Sequence, residues 1–268
     1  MRLRHRVSLD GVQLDSVDSR ILIQSVTENP GKDNVSMTPV SGGNGSRITS
    51  RHRDYLDIQI NFAIRATYRE MNVREEILEA VNAWANVTGW LKLSYRSNRR
   101  IYVRPYALPG AGDPANWTGE YTITLRASDV PYWEETTASG TCATKKAAKT
   151  GSATLAVGGN TTTQADVTLL NGSGATINTA SVTVGSRTIS FTSLGLEADE
   201  SLVIDHNYAA NGILRARIKN TAGKYRSVLS KRSEASDDDF RVNPGNVTVS
   251  YTAQRGCTLT ASARGRFI

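Results

Sequence analysis

Leu56-Asp57-Ile58-Gln59-Ile60-Asn61-Phe62-Ala63-Ile64 alternates apolar and polar side chains along its whole length. Leu56, Ile58, Ile60, Phe62 and Ile64 point one way, so the segment is a β-strand with one face in a core and the other in water. The same period recurs on both sides of it. Upstream, Leu3, Val7 and Leu9 share a face with His5, Arg2, Arg4, Arg6 and Ser8 take the other, and the pair Asp10-Gly11 ends the strand in a turn. A short strand is predicted over 20–24. Downstream, residues 90–95, 101–106 and 121–127 give three more, the last two joined by a loop around Pro109-Gly110 and Pro114. One helix interrupts them. Asn72 is placed to N-cap it, with Glu75 in the capping-box position. Val73, Ile77, Val81 and Trp84 then recur at helical spacing beside Leu78 and Ala85, and Gly89 closes the run.

Between the strand at 20–24 and Leu56 lies a polar stretch, 29–54, rich in Gly, Asn, Ser and Arg. It is too long for an ordinary connection, and such loops are functional or ordered by a partner. Segments 35–40 and 47–52 flank Gly42-Gly43-Asn44-Gly45, which predicts a projecting hairpin with little core of its own. Its candidate contact residues are Val35, Val40, Arg47, Arg51, His52 and Arg53. The residues alone leave two readings open, an interface or a mobile, solvated loop.

After Glu135 the composition changes to Thr, Ser, Gly, Asn and Ala, and no helical period appears. Short alternating segments at 153–157, 165–171, 181–184, 188–191, 201–205, 214–218, 247–252 and 257–263 lie between turn residues, the pattern of an antiparallel β-sandwich. The fold class is therefore mainly β with one α-helix. The predicted organisation is an N-terminal domain over 1–135, a linker over 136–152 and a C-terminal sandwich over 153–268.

Charge separates the two halves. Residues 1–135 carry 17 basic and 16 acidic side chains, and 136–268 carry 15 and 9, so nearly all of the +7 formal charge lies in the second half. An anionic partner such as teichoic acid or lipopolysaccharide would account for that excess, as would solubility or docking of another protein. The Tyr95-Arg96-Ser97-Asn98-Arg99-Arg100-Ile101-Tyr102-Val103-Arg104 segment has the Arg/Tyr content of a nucleic-acid surface, but the acids of its near-neutral half could pair with those arginines. No nucleic-acid partner is expected.

Catalytic and cofactor signatures are not evident. No phosphate loop or His pair at helical spacing is present, so neither cofactor nor metal is expected. His206 follows Asp205, read as a strand-end acid, and Asp237-Asp238-Asp239 reads as a solvated loop because adjacent residues of an extended chain face opposite ways. Cys142 and Cys257 are too few and too far apart for a disulfide framework and are expected to be reduced, packed thiols. No apolar run approaches the length that spans a bilayer, and the basic start is not followed by an apolar signal core, so membrane insertion and export are not expected.

Ala127-Ser128-Asp129-Val130-Pro131-Tyr132-Trp133-Glu134 resembles the Asp-Pro-aromatic-Trp segment that ends the N-terminal domain of the distal tail proteins (Dit) of long-tailed bacteriophages, with Val130 as one extra residue. The order of elements matches that family as well. In the second half, Leu170-Asn171-Gly172-Ser173-Gly174, the Glu200–Asp205 strand and Asn243-Pro244-Gly245-Asn246-Val247 resemble its motifs, the last with one residue missing. Asp129, Pro131, Tyr132, Trp133, Asp205, Pro244, Gly245 and Asn246 are thus the family-motif positions.

The resemblance implies a structural virion protein of the phage tail tip, assembled in the host cytoplasm. It would form a ring, typically hexameric, that joins the tail tube protein to the central tail hub. It further implies an N-terminal split-barrel or sandwich domain whose hairpin reaches a neighbouring subunit as a belt. The C-terminal sandwich would resemble galectins and carbohydrate-binding modules and face outward, where side fibres or a receptor-binding protein attach. The arginines of the belt would meet acids such as Asp54, Asp57 or the Glu75-Glu76 pair. The rival reading is a carbohydrate-binding adhesion module. Against it, Trp84, Trp90, Trp117 and Trp133 all precede the sandwich, which keeps only Tyr208, Tyr225, Tyr251, Phe191, Phe240 and Phe267 as aromatics.

Overall fold

The computed structural model describes all residues except 1–4, 32, 40–43, 67–69, 111–119, 145–146 and 208–212. Val40, Trp117, Tyr208 and the start of the first predicted strand lie outside the described residues. The chain divides into two units, Met1–Tyr132 and Trp133–Ile268.

The first unit opens with β1 (Val7–Leu9) and β2 (Val12–Gln13), joined by Asp10-Gly11. Both turn residues have positive φ, 47° and 87°, the requirement of a two-residue type I′ hairpin and the reason a Gly follows Asp10. Then come β3 (Ile21–Pro30), β4 (Asp33–Pro39), β5 (Ser46–Arg53) and β6 (Leu56–Ile64). After α1 (Met71–Ala85) follow β7 (Gly89–Leu93), β8 (Arg99–Ala107) and β9 (Glu120–Ala127). The main sheet runs β2-β1-β7-β8-β9-β6-β3. β6 has the predicted bounds and a strictly alternating burial, with Ile58, Ile60 and Phe62 fully buried.

β3 is twice as long as its sequence pattern, because a bulge at Gln24 breaks the alternation. Ile23 pairs with Phe62 and Val26 with Ile60, so two apolar residues three apart share the inner face. The strand predicted over 90–95 stops at Leu93, and Ser94–Arg96 form a 3-10 turn.

α1 buries Ile77, Leu78, Val81, Trp84 and Ala85, the face read from the sequence. It is tied across the sheet by Arg74 Nε donating to Tyr121 Oη at 2.7 Å and Trp84 Nε1 donating to the Val12 carbonyl at 3.0 Å. Its ends differ from expectation. Glu70 occupies the N-cap position and makes no capping bond through its side chain, and Asn72 lies inside the first turn, so no capping box forms. The helix closes at Ala85, and Gly89 belongs to β7 instead. Gly89 is needed for room: a Cβ there would fall 2.1 Å from Asp10 Oδ2.

In the second unit, β10 (Trp133–Glu135) pairs with β21 (Arg266–Phe267). The other strands are β11 (Gly140–Ala143), β12 (Ala148–Val157), β13 (Thr163–Asn171), β14 (Ala180–Val184), β15 (Arg187–Phe191), β16 (Ser201–Asn207), β17 (Ile213–Lys219), β18 (Tyr225–Ser227), β19 (Arg241–Val242) and β20 (Gly245–Ala263). Two expectations are corrected here. Residues 136–152 are not a plain linker, since β11 and the first half of β12 fall within them and pair with β20. The strands predicted at 247–252 and 257–263 are one strand of 19 residues. Its first half lies between β12 and β14, its second between β11 and β13, so one strand serves two groups of partners. The core holds Leu155, Val167, Leu169, Val182, Phe191, Ile204, Phe240 and Leu259.

Candidate interaction surfaces

β4 and β5 form a two-stranded sheet that pairs with no other strand among the described residues. The register puts Val35 opposite Arg51, Ser36 opposite Ser50, Met37 opposite Ile48 and Thr38 opposite Arg47, leaving Thr49 as an extra residue. That bulge matters, because paired residues share a face. Without Thr49 as the extra residue, Ile48 would fall on the face opposite Met37. With it, Val35, Met37 and Ile48 make one apolar row, exposed by 39%, 61% and 56%. Thr49 Oγ1 donates to the Ser36 carbonyl at 3.1 Å and fixes the bulge. Full burial of such a side chain is worth about 1.5–3 kcal/mol, and covering these half-exposed ones about half of that each, so the row favours association with another surface.

Of the belt residues predicted from sequence, Val35 stands on this row, and Arg51 and His52 are placed by backbone register only, opposite Val35 and Asn34. The Arg53 guanidinium lies 6.0 Å from the Tyr132 ring. Met37 and Ile48 were missed, since the bulge hides their shared face from a period-two reading. Asp57 is removed as an acid for the belt: its carboxylate takes a two-pronged bond from Arg126 at 2.6 and 2.7 Å in the same unit.

That bond belongs to an outward face rich in arginine and aromatic rings. Arg126 lies 3.4 Å from the centre of the Tyr106 ring and 4.0 Å from that of Tyr55, and its hydrogen bond to Asp57 raises its pKa. Arg100 sits 3.8 Å from the Trp90 ring, which meets Tyr102 edge-on at 5.2 Å. Arg96 binds Glu28 at 2.8 and 3.0 Å, and Arg104 binds Asp129 at 2.6 Å. Arg96, Arg100 and Arg104 of the Tyr95–Arg104 segment are thus engaged by acids and rings of their own unit. Tyr95 donates to Glu28 at 3.2 Å, and burial first, then that carboxylate, pushes its phenol up to about 12.

The family-motif positions are structural joints and do not converge on one site. Asp129 anchors Arg104, and Tyr132 N donates to the Val130 carbonyl at 2.8 Å, making a tight three-residue turn around Pro131. Trp133 is 2% exposed. Asp205 accepts from Arg215 at 3.0 Å through two bonds and from Arg217 at 2.6 Å. Gly245, with φ 118°, opens β20 after Pro244, and Asn246 pairs with Ala156.

One sequence reading in the second unit changes, that of the three aspartates. His206 Nδ1 lies 3.1 Å from Asp166 Oδ1, its ring buried on the inner face of β16. The three aspartates are not simply solvated. Asp237 accepts from Thr188 N at 2.6 Å, Asp239 is bound by Arg187 at 2.8 Å and Arg241 at 2.7 Å, and Asp238 alone of the three is well exposed. They fasten their loop along the edge of β15. Cys142 and Cys257 are free, and burial pushes the Cys257 thiol up to about 11.

The two halves of the second unit's outer face differ in chemistry. On β12, β20, β14 and β15 the rungs are Thr150-Thr252-Ser181-Ser190 and Ser152-Ser250-Thr183-Thr188, hydroxyls without charge. On β13, β16, β17 and β18 they are Leu170-Ser201-Lys219-Tyr225 and Thr168-Val203-Arg217-Ser227, with Asp205 opposite Arg215 in the next. Tyr225 is 50% exposed, and Arg217 lies 4.4 Å from its ring. Phe191, Phe240 and Tyr251 are core residues.

Two units built almost wholly of antiparallel β-structure, one with a single helix and a detached hairpin, define a mainly β protein of two units. Among solved structures this chain is similar to the crystal structure of SPP1 Dit (gp 19.1), described as a paradigm of the hub adsorption apparatus in phages infecting Gram-positive hosts. The match has a TM-score of 0.66 at 14% identity and covers 98% of this chain and 99% of that one. It is also similar to a chain of the phage P2 baseplate in its activated conformation with Ca, TM-score 0.55 at 9% identity, covering 99% and 98%. The fold is Dit-like over its full length. No family model and no curated protein sequence matches the chain.

Proposed function

We propose that this chain is a structural subunit of a phage tail tip, forming a closed ring, six copies in the family pattern, between the tail tube and the central hub. The observation that carries the reading is the detached hairpin with Val35, Met37 and Ile48 exposed along one face. A closed ring needs two different patches, one on each flank of the subunit, and a hairpin that its own chain leaves uncovered supplies one. The Dit-like fold supports the same reading. On it the first unit is the ring former, the second a galectin-like sandwich facing outward toward side fibres or a receptor-binding protein, and the role is structural rather than catalytic. Deleting residues 35–52 tests it: the variant should stay folded by circular dichroism and run as a monomer in light scattering, whereas unchanged oligomers would refute the belt assignment.

A second reading, adhesion to a carbohydrate of the host surface, is favoured by one feature, the Tyr225 ring beside Arg217 and Lys219 on the charged face of the sandwich. Binding of the full chain to an anionic glycan, lost on Tyr225→Ala, would support it.

A further inference from the structure

We infer that the surface covering the hairpin is the exposed face of α1 in a neighbouring copy; this rests on the ring reading above. α1 has buried one side, and Asn72, Glu75, Glu76, Glu79, Ala80 and Ala83 form the exposed stripe opposite. The stripe changes along its length. Its first part carries three carboxylates and no lysine or arginine, with Glu79 four residues after Glu75 and three after Glu76, spacings at which like charges repel. No acid lies in the first turn, so attraction to the helix N-terminus does not explain this run. Arg20 is within electrostatic reach of Glu76, but Asp18 holds its guanidinium at 3.1 Å. The second part of the stripe is small and apolar, and it ends beside two uncovered valines: Val87, 42% exposed just past the helix, and Val12, 53% exposed, whose carbonyl receives Trp84 Nε1.

The hairpin carries the complementary gradient. Met37 and Ile48 lie toward its tip, and the register positions of Arg51 and Arg53 toward its base, opposite Val35 and Asp33. The spacings agree: Arg51 and Ile48 stand opposite Val35 and Met37, two residues or about 7 Å apart at ~3.4 Å per strand residue, and Glu79 and Ala83 are about 6 Å apart at 1.5 Å per helical residue. Laid along a neighbour's α1, the hairpin sets arginine against glutamate and apolar row against Ala80, Ala83 and the valines. Hairpin and helix face are different patches of one chain, so the contact repeats head to tail until the ring closes.

Charge reversal in the full-length chain tests the pairing. Arg51→Glu with Arg53→Glu, and separately Glu75→Arg with Glu76→Arg and Glu79→Arg, should each shift the protein from ring to monomer in sedimentation. The chain carrying all five changes should re-form rings. A helix-reversed chain that assembles like the parent, while the chain lacking residues 35–52 does not, would overturn the helix as acceptor and leave the ring reading intact. If the deleted chain also assembles, the belt assignment itself falls. Because the helix reversal could unfold the domain, Ile48→Cys with Ala83→Cys in one chain gives an independent readout. Oxidation should yield a ladder of disulfide-linked copies, and rings without cross-links would overturn the pairing.

Discussion

Met37 stands opposite Ile48 across the β4–β5 hairpin because Thr49 is an extra residue on one strand only. This one-residue offset gives the hairpin an apolar face, and the chain itself leaves that face exposed.

Met37→Asp combined with Ile48→Asp should therefore separate assembly from stability. Both side chains are more than half exposed, so the unfolding free energy should change by less than about 0.5 kcal/mol, while oligomers are lost in sedimentation at the same concentration. A concurrent loss of thermal stability would mean that the hairpin packs on its own subunit instead.

Asp10 and Gly89 give a prediction about the body of the first unit. Trp90 N donates to Asp10 Oδ1 at 2.7 Å, and the carboxylate fills the space where a Gly89 side chain would stand. Gly89→Ala should push Asp10 aside, break that bond and cost about 1–2 kcal/mol in urea unfolding. Adding Asp10→Ala should cost little more, since the bond is already gone. Full additivity of the two changes would contradict this coupling.

Alkaline pH should weaken the second unit. The Cys257 thiol titrates near 11 in the fold against 9.0 in its ordinary state, because burial disfavours the thiolate. The folded chain then holds a proton that the unfolded chain releases, so this stability is complete below pH 9 and is lost as pH rises from 9 toward 11. Cys257→Ala should lower stability at pH 7 by about 1 kcal/mol and flatten the alkaline fall. A variant with the parent's pH profile would show that another group is responsible, with the raised Tyr251 hydroxyl the first to examine.

How far the sequence revealed all this depended on whether apolar residues did the patterning. β6 and the buried face of α1 were legible because each places large side chains at the period of its element. The strands within 136–152 were not, since β12 begins with Ala148, Lys149 and Thr150, all exposed, and its pairing with β20 carries the structure. β20 read as two strands because Gln254-Arg255-Gly256 looks like a turn, although it continues the strand where the partners change. Among the candidate contact residues, Val35 was legible and Met37 and Ile48 were not, because a bulge is invisible to a period-two rule. The acid–arginine pairs, such as Asp57 with Arg126, depend on register across strands that no local motif encodes.

The account stands most directly on the size and shape of the particle. Light scattering of the purified chain combined with negative-stain imaging should give a mass that is a whole multiple of 29.1 kDa, six-fold in the family pattern, and rings with an axial hole. A 29.1 kDa monomer at every concentration, or open chains that never close, would contradict it.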